Sequence, residues 1–537
     1  MTPEEICKRV SQLESDRQNI EQKWQEISTY VVPHRGEFYR ENDSENSVDW
    51  TNPELFDSTA VRACTILASS IHGALTNPSV RWFDLRFRDD ALNKNTDAAG
   101  WLTDAANVMY YAIQDSNFNL EIGETYTDIC SFGSSFPSLE QEGSGTDTNL
   151  VFSTIPLNEC FFEEDHKGNV CRFYRKLEWT IGQIKSKFGE DSLPESLAQK
   201  SDTDKVDMLY SIYKRDKYSE QEGKVAGSRR KYGYKYIVRS SKEEIGEEGG
   251  YYEMPVWVAR WRKAADSMWA YSPAMIAMPD IRTLNELIKL ILVAAEKAID
   301  PPMKATERGL MSDLDLTAGG LTMVRDMEGL APLESRARFD VSQLQREQLM
   351  SSIRECFHVD ELQLKNSPAM TATEVQVRYE LMQRMLGPTV GRLQSDVLGP
   401  MLQRIFNILY REGLLPEMPE GVDGKVDIQY TGPLARAQKS DLAISTERWL
   451  QNIAMLSELF PEARKYPDLE YIVREQAENL NLPPKYVRSK DKVEAEMKAE
   501  KEAAAAQAQT AQINEAGQAM KSVGEGAAAL GAGNEPQ

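Results

Sequence analysis

Apolar residues recur at helical spacing along most of this chain, and the longest such run lies between Ser367 and Pro416. It opens on Thr371, Ala372, Thr373 and Glu374, a hydroxyl with a carboxylate three residues on, the pattern of a capping box. Met382, Met385, Leu386, Leu393, Val397, Met401, Leu402, Ile405, Ile408 and Leu409 then follow in steps that place them on one helical stripe. Gly413 sits where a left-handed C-cap is expected, and Pro416 blocks extension. Two pairs interrupt the stripe, Gly387-Pro388 and Gly399-Pro400. Each proline removes an amide donor and crowds the preceding turn, so the segment reads as one helix kinked twice or as three short helices in series.

The same reading applies elsewhere. Thr2-Pro3-Glu4-Glu5 starts a helix whose seam is Ile6, Val10, Leu13, Arg17, Ile20, Trp24, Ile27 and Val31, ending at Pro33. The seam fits a helix laid on its own domain, with an intermolecular coiled coil as the alternative. Residues 36–53 read as a loop. Asp57 or Ser58 caps a helix with Val61, Cys64, Leu67, Ala68 and Ile71 on its stripe, and Ser79–Phe87 reads as a strand. Helices are expected at about 98–116 and 120–132, and the stretch 133–149 reads as turn-rich.

Between Leu150 and Trp261 the period changes. Segments 151–155, 160–163, 170–177, 206–214, 232–239 and 252–261 read as strands, with a short helix at 180–188 and a glycine-rich acidic hairpin tip at 242–250. Ser272-Pro273 then begins a strong helix striped by Ile281, Leu284, Leu287, Ile288, Ile291, Leu292 and Ala295, and Pro301-Pro302 stops it. A broken insert with Gly319-Gly320 precedes a second helix from Asp340 to about His358, with Val341, Leu344, Leu349, Ile353 and Phe357 as its apolar positions. Helices are expected again at 441–459 and 469–481. The Ala-, Glu-, Lys- and Gln-rich remainder has helix propensity but no apolar face, and reads as a tail. The fold class expected is α+β and mainly helical.

Composition narrows the chemistry. The formal net charge is −22, which argues against a surface that grips nucleic acid, because phosphate contacts need clustered Lys and Arg. A negative wall repels DNA and so suits a conduit better than a binder. The six cysteines show no CxxC or ligand spacing, and read as reduced thiols. The N-terminus lacks an apolar signal block, and the apolar stretch at 290–295 is too short to span a bilayer. No P-loop, GxSxG, HExxH or GxGxxG string is present, so no cofactor is expected. Carboxylates cluster at Asp89-Asp90, Glu163-Glu164-Asp165 and Glu243-Glu244, and a two-metal nuclease would need such groups, but each cluster reads as solvated surface. Lys289 and Lys297, and Arg346 and Arg354, lie eight residues apart on their helices and read as one face each. In an oligomeric ring such residues become hoops of charge around a pore.

The strings "MTATEV", "LGPTVGRLQSDVLGPMLQRIF", "GLLP" and, at Tyr430–Asp441, "YTGPLARAQKSD" resemble the head-to-tail connector (portal) proteins of short-tailed, T7-like bacteriophages. "DSTAVRACTILASSIHGALTNPSVRWFDL" resembles them too. The resemblance implies a non-enzymatic portal fold of wing, stem, clip and crown or barrel, assembled as a dodecameric ring at one capsid vertex. It implies a wing over 1–272, a stem helix over 273–300, a clip over 301–338, a returning stem over 339–358, a tunnel loop over 359–370, a kinked wing helix over 371–440, a crown over 441–490, and a barrel or disordered tail over 491–537. Lys289, Lys297, Arg346 and Arg354 become candidates to line the channel; Gln363, Lys365 and Asn366 candidates for the tunnel loop; Gly387, Pro388, Gly399 and Pro400 candidates for the kinks. The implied partners are further copies of the chain, the large terminase, a tail adaptor, capsid and scaffolding proteins, and double-stranded DNA in transit, within a virion built in the host cytoplasm. The competing readings are another connector-layer or adaptor ring and, from a different class, a metal-dependent nuclease relying on Glu163 or Asp165.

Overall fold

The computed structural model describes residues 2–35, 54–299, 301–305, 330–332, 339–362, 386–419, 426–430 and 445–456, apart from 94, 195, 198–199, 220–224 and 266, together with isolated positions at 323, 460, 467, 472–473 and 476. The chain divides into two compact units. The first comprises Met1–Leu85, Asp104–Glu417 and Asp427–Ala435; the second comprises Arg86–Thr103, Met418–Val426 and Arg436–Gln537. In the second, Phe87 stacks on Trp101 at 6.2 Å, and residues 445–456 are helical.

Helix α1 (Pro3–Tyr30) begins as its sequence dictates, with reciprocal Thr2 and Glu5 hydrogen bonds. Its seam is satisfied within the subunit. Ile6, Val10 and Leu13 bury against Phe161, Tyr174, Leu209 and Ile237 of a five-stranded sheet. Further along, Trp24 meets Trp269 edge-on at 4.9 Å, and its indole N–H donates to the Phe132 carbonyl. The polar member of the seam, Arg17, is buried as well: its guanidinium donates to the carbonyls of Leu157, Asn158 and Cys160 and lies 3.9 Å over the Phe161 ring.

Helix α2 (Thr59–Leu75) has Ser58 at its N-cap position, but the side-chain bond comes from Asp57, whose Oδ1 accepts from the Thr59 amide. Strand β1 (Phe83–Phe87), α3 (Asp90–Asn93), α4 (Thr96–Gln114) and α5 (Phe118–Ser131) follow. Arg35 clasps buried Asp128 on α5 through two bonds, of 2.7 and 2.6 Å.

The turn-rich expectation for 133–149 is corrected by β2 (Ser134–Glu142), the middle strand between β3 (Asn149–Ile155) and a two-residue β9 (Ala259–Arg260). Its first six residues are all buried, so it shows no alternation, and its serines mimic a loop composition. The expected strand at 252–261 is mostly irregular chain that runs beside β2, with Trp257 and Trp261 amides bonded to Pro137 and Gly133 carbonyls.

The five-stranded sheet is an antiparallel meander of β4 (Cys160–Glu164), β5 (Val170–Thr180), β6 (Lys205–Lys214), β7 (Tyr232–Val238) and β8 (Glu244–Tyr251). Helix α6 (Ile181–Phe188), with a capping box from Thr180 and Gln183, follows β5. The expected hairpin tip at 242–250 is therefore mostly strand. Its glycines serve packing: a Cβ on Gly249 would lie 2.2 Å from the Tyr234 ring, and one on Gly246, at φ +71°, 2.8 Å from Phe188. Cys160 pairs in register with Arg175, whereas Cys171 lies beside Glu163 farther along the sheet, and both thiols are free.

Glu14 on α1 is held by Lys176 and Arg239. Burial alone would push its carboxyl up, but the hydrogen bonds from these two cations outweigh that and hold it below its ordinary value of 4.5. A depressed carboxylate stabilises the fold above its unfolded pKa, and that contribution is lost as pH falls through the folded one. Glu14→Gln should therefore lower the unfolding free energy measured in urea above about pH 4.5 by under about 1 kcal/mol, since the cluster is partly solvated. The gap between variant and parent should close at lower pH. A gap that is constant with pH would remove Glu14 from the acid response.

Candidate functional site

Two features stand out from the body of the first unit. One is the antiparallel pair formed by α7 (Pro273–Ile299) and α8 (Phe339–Cys356). Ser272 caps α7 by accepting from the Met275 amide, while its hydroxyl donates to the Ser131 carbonyl. The base of the pair is fastened by Ser352 donating to Asp280 at 2.6 Å. Beyond the far ends of the two helices, Met303–Ala305 pairs antiparallel with Leu330–Pro332. Asn285 is the last buried residue of α7, its side chain bonded to Glu54, Phe56 and Asp57 backbone.

None of the 14 helix residues past Asn285, about 20 Å at 1.5 Å per residue, is buried. That length is not polar. Leu290, Leu292, Val293 and Ile299 are 58%, 54%, 40% and 85% exposed, and Leu344 on α8 is 59% exposed. Among the described side chains of α8 only Ile353 is buried, and Phe357, just past its end, is buried too. A helix pair with apolar residues exposed along its outer half is an incomplete core.

Lys289, Lys297, Arg346 and Arg354 are all exposed on this same pair. Lys289 lies 3.9 Å from Glu286 and 6.0 Å over the Phe56 ring. Eight residues amount to about 2.2 turns, so the members of each pair stand about 80° apart around their axis. Helix α9 (Val359–Leu362) follows a positive φ of 55° at His358. Gln363, Lys365 and Asn366 lie outside the described residues, as do the Thr371–Glu374 cap and the string from Thr431 to Asp441.

The second feature is the helical run 386–411. Residues 386–393 are α-helical, Gln394–Leu398 form a π turn, and α10 (Gly399–Arg411) continues to the end. Gly387 and Pro388 stand in the first segment; Gly399 and Pro400 stand directly after the π turn. The Gly399 amide reaches back five residues to the Gln394 carbonyl, which also accepts from the Tyr430 hydroxyl at 3.0 Å. Pro400 can offer no amide at the next position. Arg260, 7% exposed, reaches Asp396 within the π turn at 3.6 Å and pairs with Glu164 on β4.

Downstream, Glu253 gathers three side chains of α10. Arg411 donates to both of its oxygens at 2.7 and 3.0 Å, Asn407 donates at 3.1 Å, and Arg404 bonds the Glu253 carbonyl at 2.9 Å. Arg404 is 4% exposed, and Arg411 lies 4.3 Å over the Tyr252 ring. Glu412 closes the end by accepting from Gln141 and the Gly145 amide. Sequence reasoning missed the Tyr430, Arg260 and Glu253 contacts. The only local signal was the glycine and proline at 399–400.

The carboxylates proposed for metal chemistry are engaged otherwise. Glu163 accepts from Arg9 at 2.7 Å, Arg172 at 2.9 Å and the Tyr174 hydroxyl at 3.3 Å. Asp165 accepts from the Lys167 and Asn169 amides in the β4–β5 turn, and these bonds hold its carboxyl below the usual range. Among the described residues, no group of three or more His, Cys, Asp or Glu could hold a metal ion, and no helix is long and apolar enough to cross a membrane.

Residues 3–487 match the family of bacteriophage head to tail connecting proteins, and the chain belongs to that family. It is similar to the portal protein of Salmonella phage epsilon15, at 24% identity over 96% of this chain and 93% of the relative. It is also similar to the probable portal protein of Bordetella phage BPP-1, at 23% identity over 90% and 88% respectively. Among solved structures, chains from the virion of a native gene transfer agent particle and from its neck computed with C12 symmetry match 80% and 72% of this chain and 91% and 85% of their own length. Both are 10% identical, with TM-scores of 0.37 and 0.34. The protein is a phage portal, or head-to-tail connector, protein with a mixed helix and strand fold.

Proposed function

We propose that the chain closes into a homo-oligomeric ring of twelve at the capsid vertex. In that ring α7 and α8 are the stem, 301–338 the clip, 359–370 the tunnel loop, and the run ending in α10 the wing helix. The crown and any barrel follow from 441 and 491. The observation that carries this reading is the row of exposed apolar side chains on the outer half of α7 and on α8. A heterologous contact between neighbours in a ring covers both sides of such a pair, which a lone subunit leaves in water. Lys289, Lys297, Arg346 and Arg354 then repeat once per subunit, and those facing inward touch DNA phosphates briefly. The net charge of −22 opposes lasting adhesion. The clip docks the large terminase during packaging and a tail adaptor afterwards, while capsid and scaffolding proteins surround the wing. Gly387, Pro388, Gly399 and Pro400 supply the bends of the wing helix, and Gln363, Lys365 and Asn366 the loop that meets DNA.

The test is Leu292→Asp with Val293→Asp. Both positions are already exposed in the single chain, so its unfolding free energy in urea should stay within about 0.5 kcal/mol. Ring formation, measured by mass photometry, should be lost. Rings that close as well as those of the parent would refute the assignment of this face to the interface.

A further inference from the structure

The π turn at Gln394–Leu398 divides a continuous helix into halves that are held very differently. Downstream, α10 is tied down by Glu253, with Glu412 closing its end. Upstream, Leu386, Thr389 and Leu393 are buried, but among the described residues no ion pair joins 386–393 to another element, and a Cβ on Gly387 or Gly391 would have no neighbour within 4 Å. A π turn holds one residue more than the α-helix needs, and outside groups can stabilise it. Here two do so: Tyr430 bonds the Gln394 carbonyl, and Arg260 faces Asp396. The third element is a space. Gly399 has ordinary helical φ and ψ of −62° and −58°, so its lack of a side chain is not required by backbone conformation. It is required by crowding, since a Cβ there would sit 2.9 Å from the Gln394 oxygen and 3.3 Å from the Tyr430 hydroxyl.

We propose that Tyr430, Arg260 and Gly399 form a register latch. Engaged, they hold the π turn. Released, the extra residue passes into α-helical register, and 386–393 turns by about 100° and shifts by about 1.5 Å along its axis while α10 stays in place. The latch gives the segment two discrete positions in place of a continuous bend. It is local to one subunit and independent of the ring reading.

Three variants test it. Gly399→Ala removes the space, and its structure should show α-helical bonding through 394–400 with 386–393 turned. A retained π turn with the Tyr430 bond intact would overturn the latch. Tyr430→Phe removes one bond, and amide exchange across 394–400 should quicken about tenfold while 401–411 stays within about twofold. Unchanged exchange at 394–400, or equal acceleration along the whole run, would also overturn it, and this arm decides if Gly399→Ala does not fold. Gly391→Ala, where a Cβ meets nothing within 4 Å, is the control and should alter neither readout. Ring closure is scored separately by mass photometry, so failure of the latch and failure of the oligomer are distinguishable.

Discussion

Arg17→Met should cost about 3–5 kcal/mol of stability, the largest loss expected from one substitution in this chain. The side chains are similar in length, so the loss is electrostatic. The guanidinium bonds the carbonyls of Leu157, Asn158 and Cys160 at 3.2, 2.8 and 2.7 Å and pairs with Glu21 at 2.5 Å. Methionine leaves three carbonyls without that donor at the entry to β4 and removes a cation from the face of Phe161. Arg17→Lys should recover less than half, because an ammonium cannot reach three carbonyls in a planar fan. Urea denaturation at matched protein concentration checks both. A cost under about 1 kcal/mol for the methionine variant would show that α1 is held by its apolar seam alone.

Glu253→Ala ranks second, at about 2–4 kcal/mol. The carboxylate is partly exposed, but its partner Arg404 is almost fully buried, and a buried guanidinium without its counter-charge is the expensive product. The coupling can be isolated. Combining Glu253→Ala with Arg404→Leu should cost at least about 1 kcal/mol less than the sum of the single changes. Additive losses would mean that Glu253 acts through Arg411 and Asn407 instead.

Amphipathic helices were legible because each carries its own evidence. The Thr2 and Glu5 cap, the Ile6–Val31 seam, the short helix at 180–188 and the Ser272-Pro273 start all appear where spacing put them. Strand β2 was not legible, because burial on both faces erases alternation and Ser134, Ser135 and Ser138 carry no apolar signal. Gly249 and Gly250 were misread as a turn, since nothing local says that a glycine is there to admit Tyr234 or the Gly227 carbonyl. The Gly-Pro pair at 399–400 announced an irregular helix but not its kind. The π turn is stabilised by Tyr430, some thirty residues later, and by Arg260, well over a hundred residues earlier. For the four cations, helix and exposure could be read locally, but which face meets a pore depends on how copies meet.

The apolar residues on the outer half of α7 account for assembly better than for the stability of one chain. Their exposure has a physical cost that a neighbouring copy in the proposed ring would remove, at roughly 25 cal/mol for each Å² withdrawn from water. Negative-stain electron microscopy of the purified protein, with two-dimensional class averages in end view, tests this most directly. Closed rings of twelve subunits around a stain-filled hole are the predicted result. Particles that remain single subunits at high concentration would contradict it.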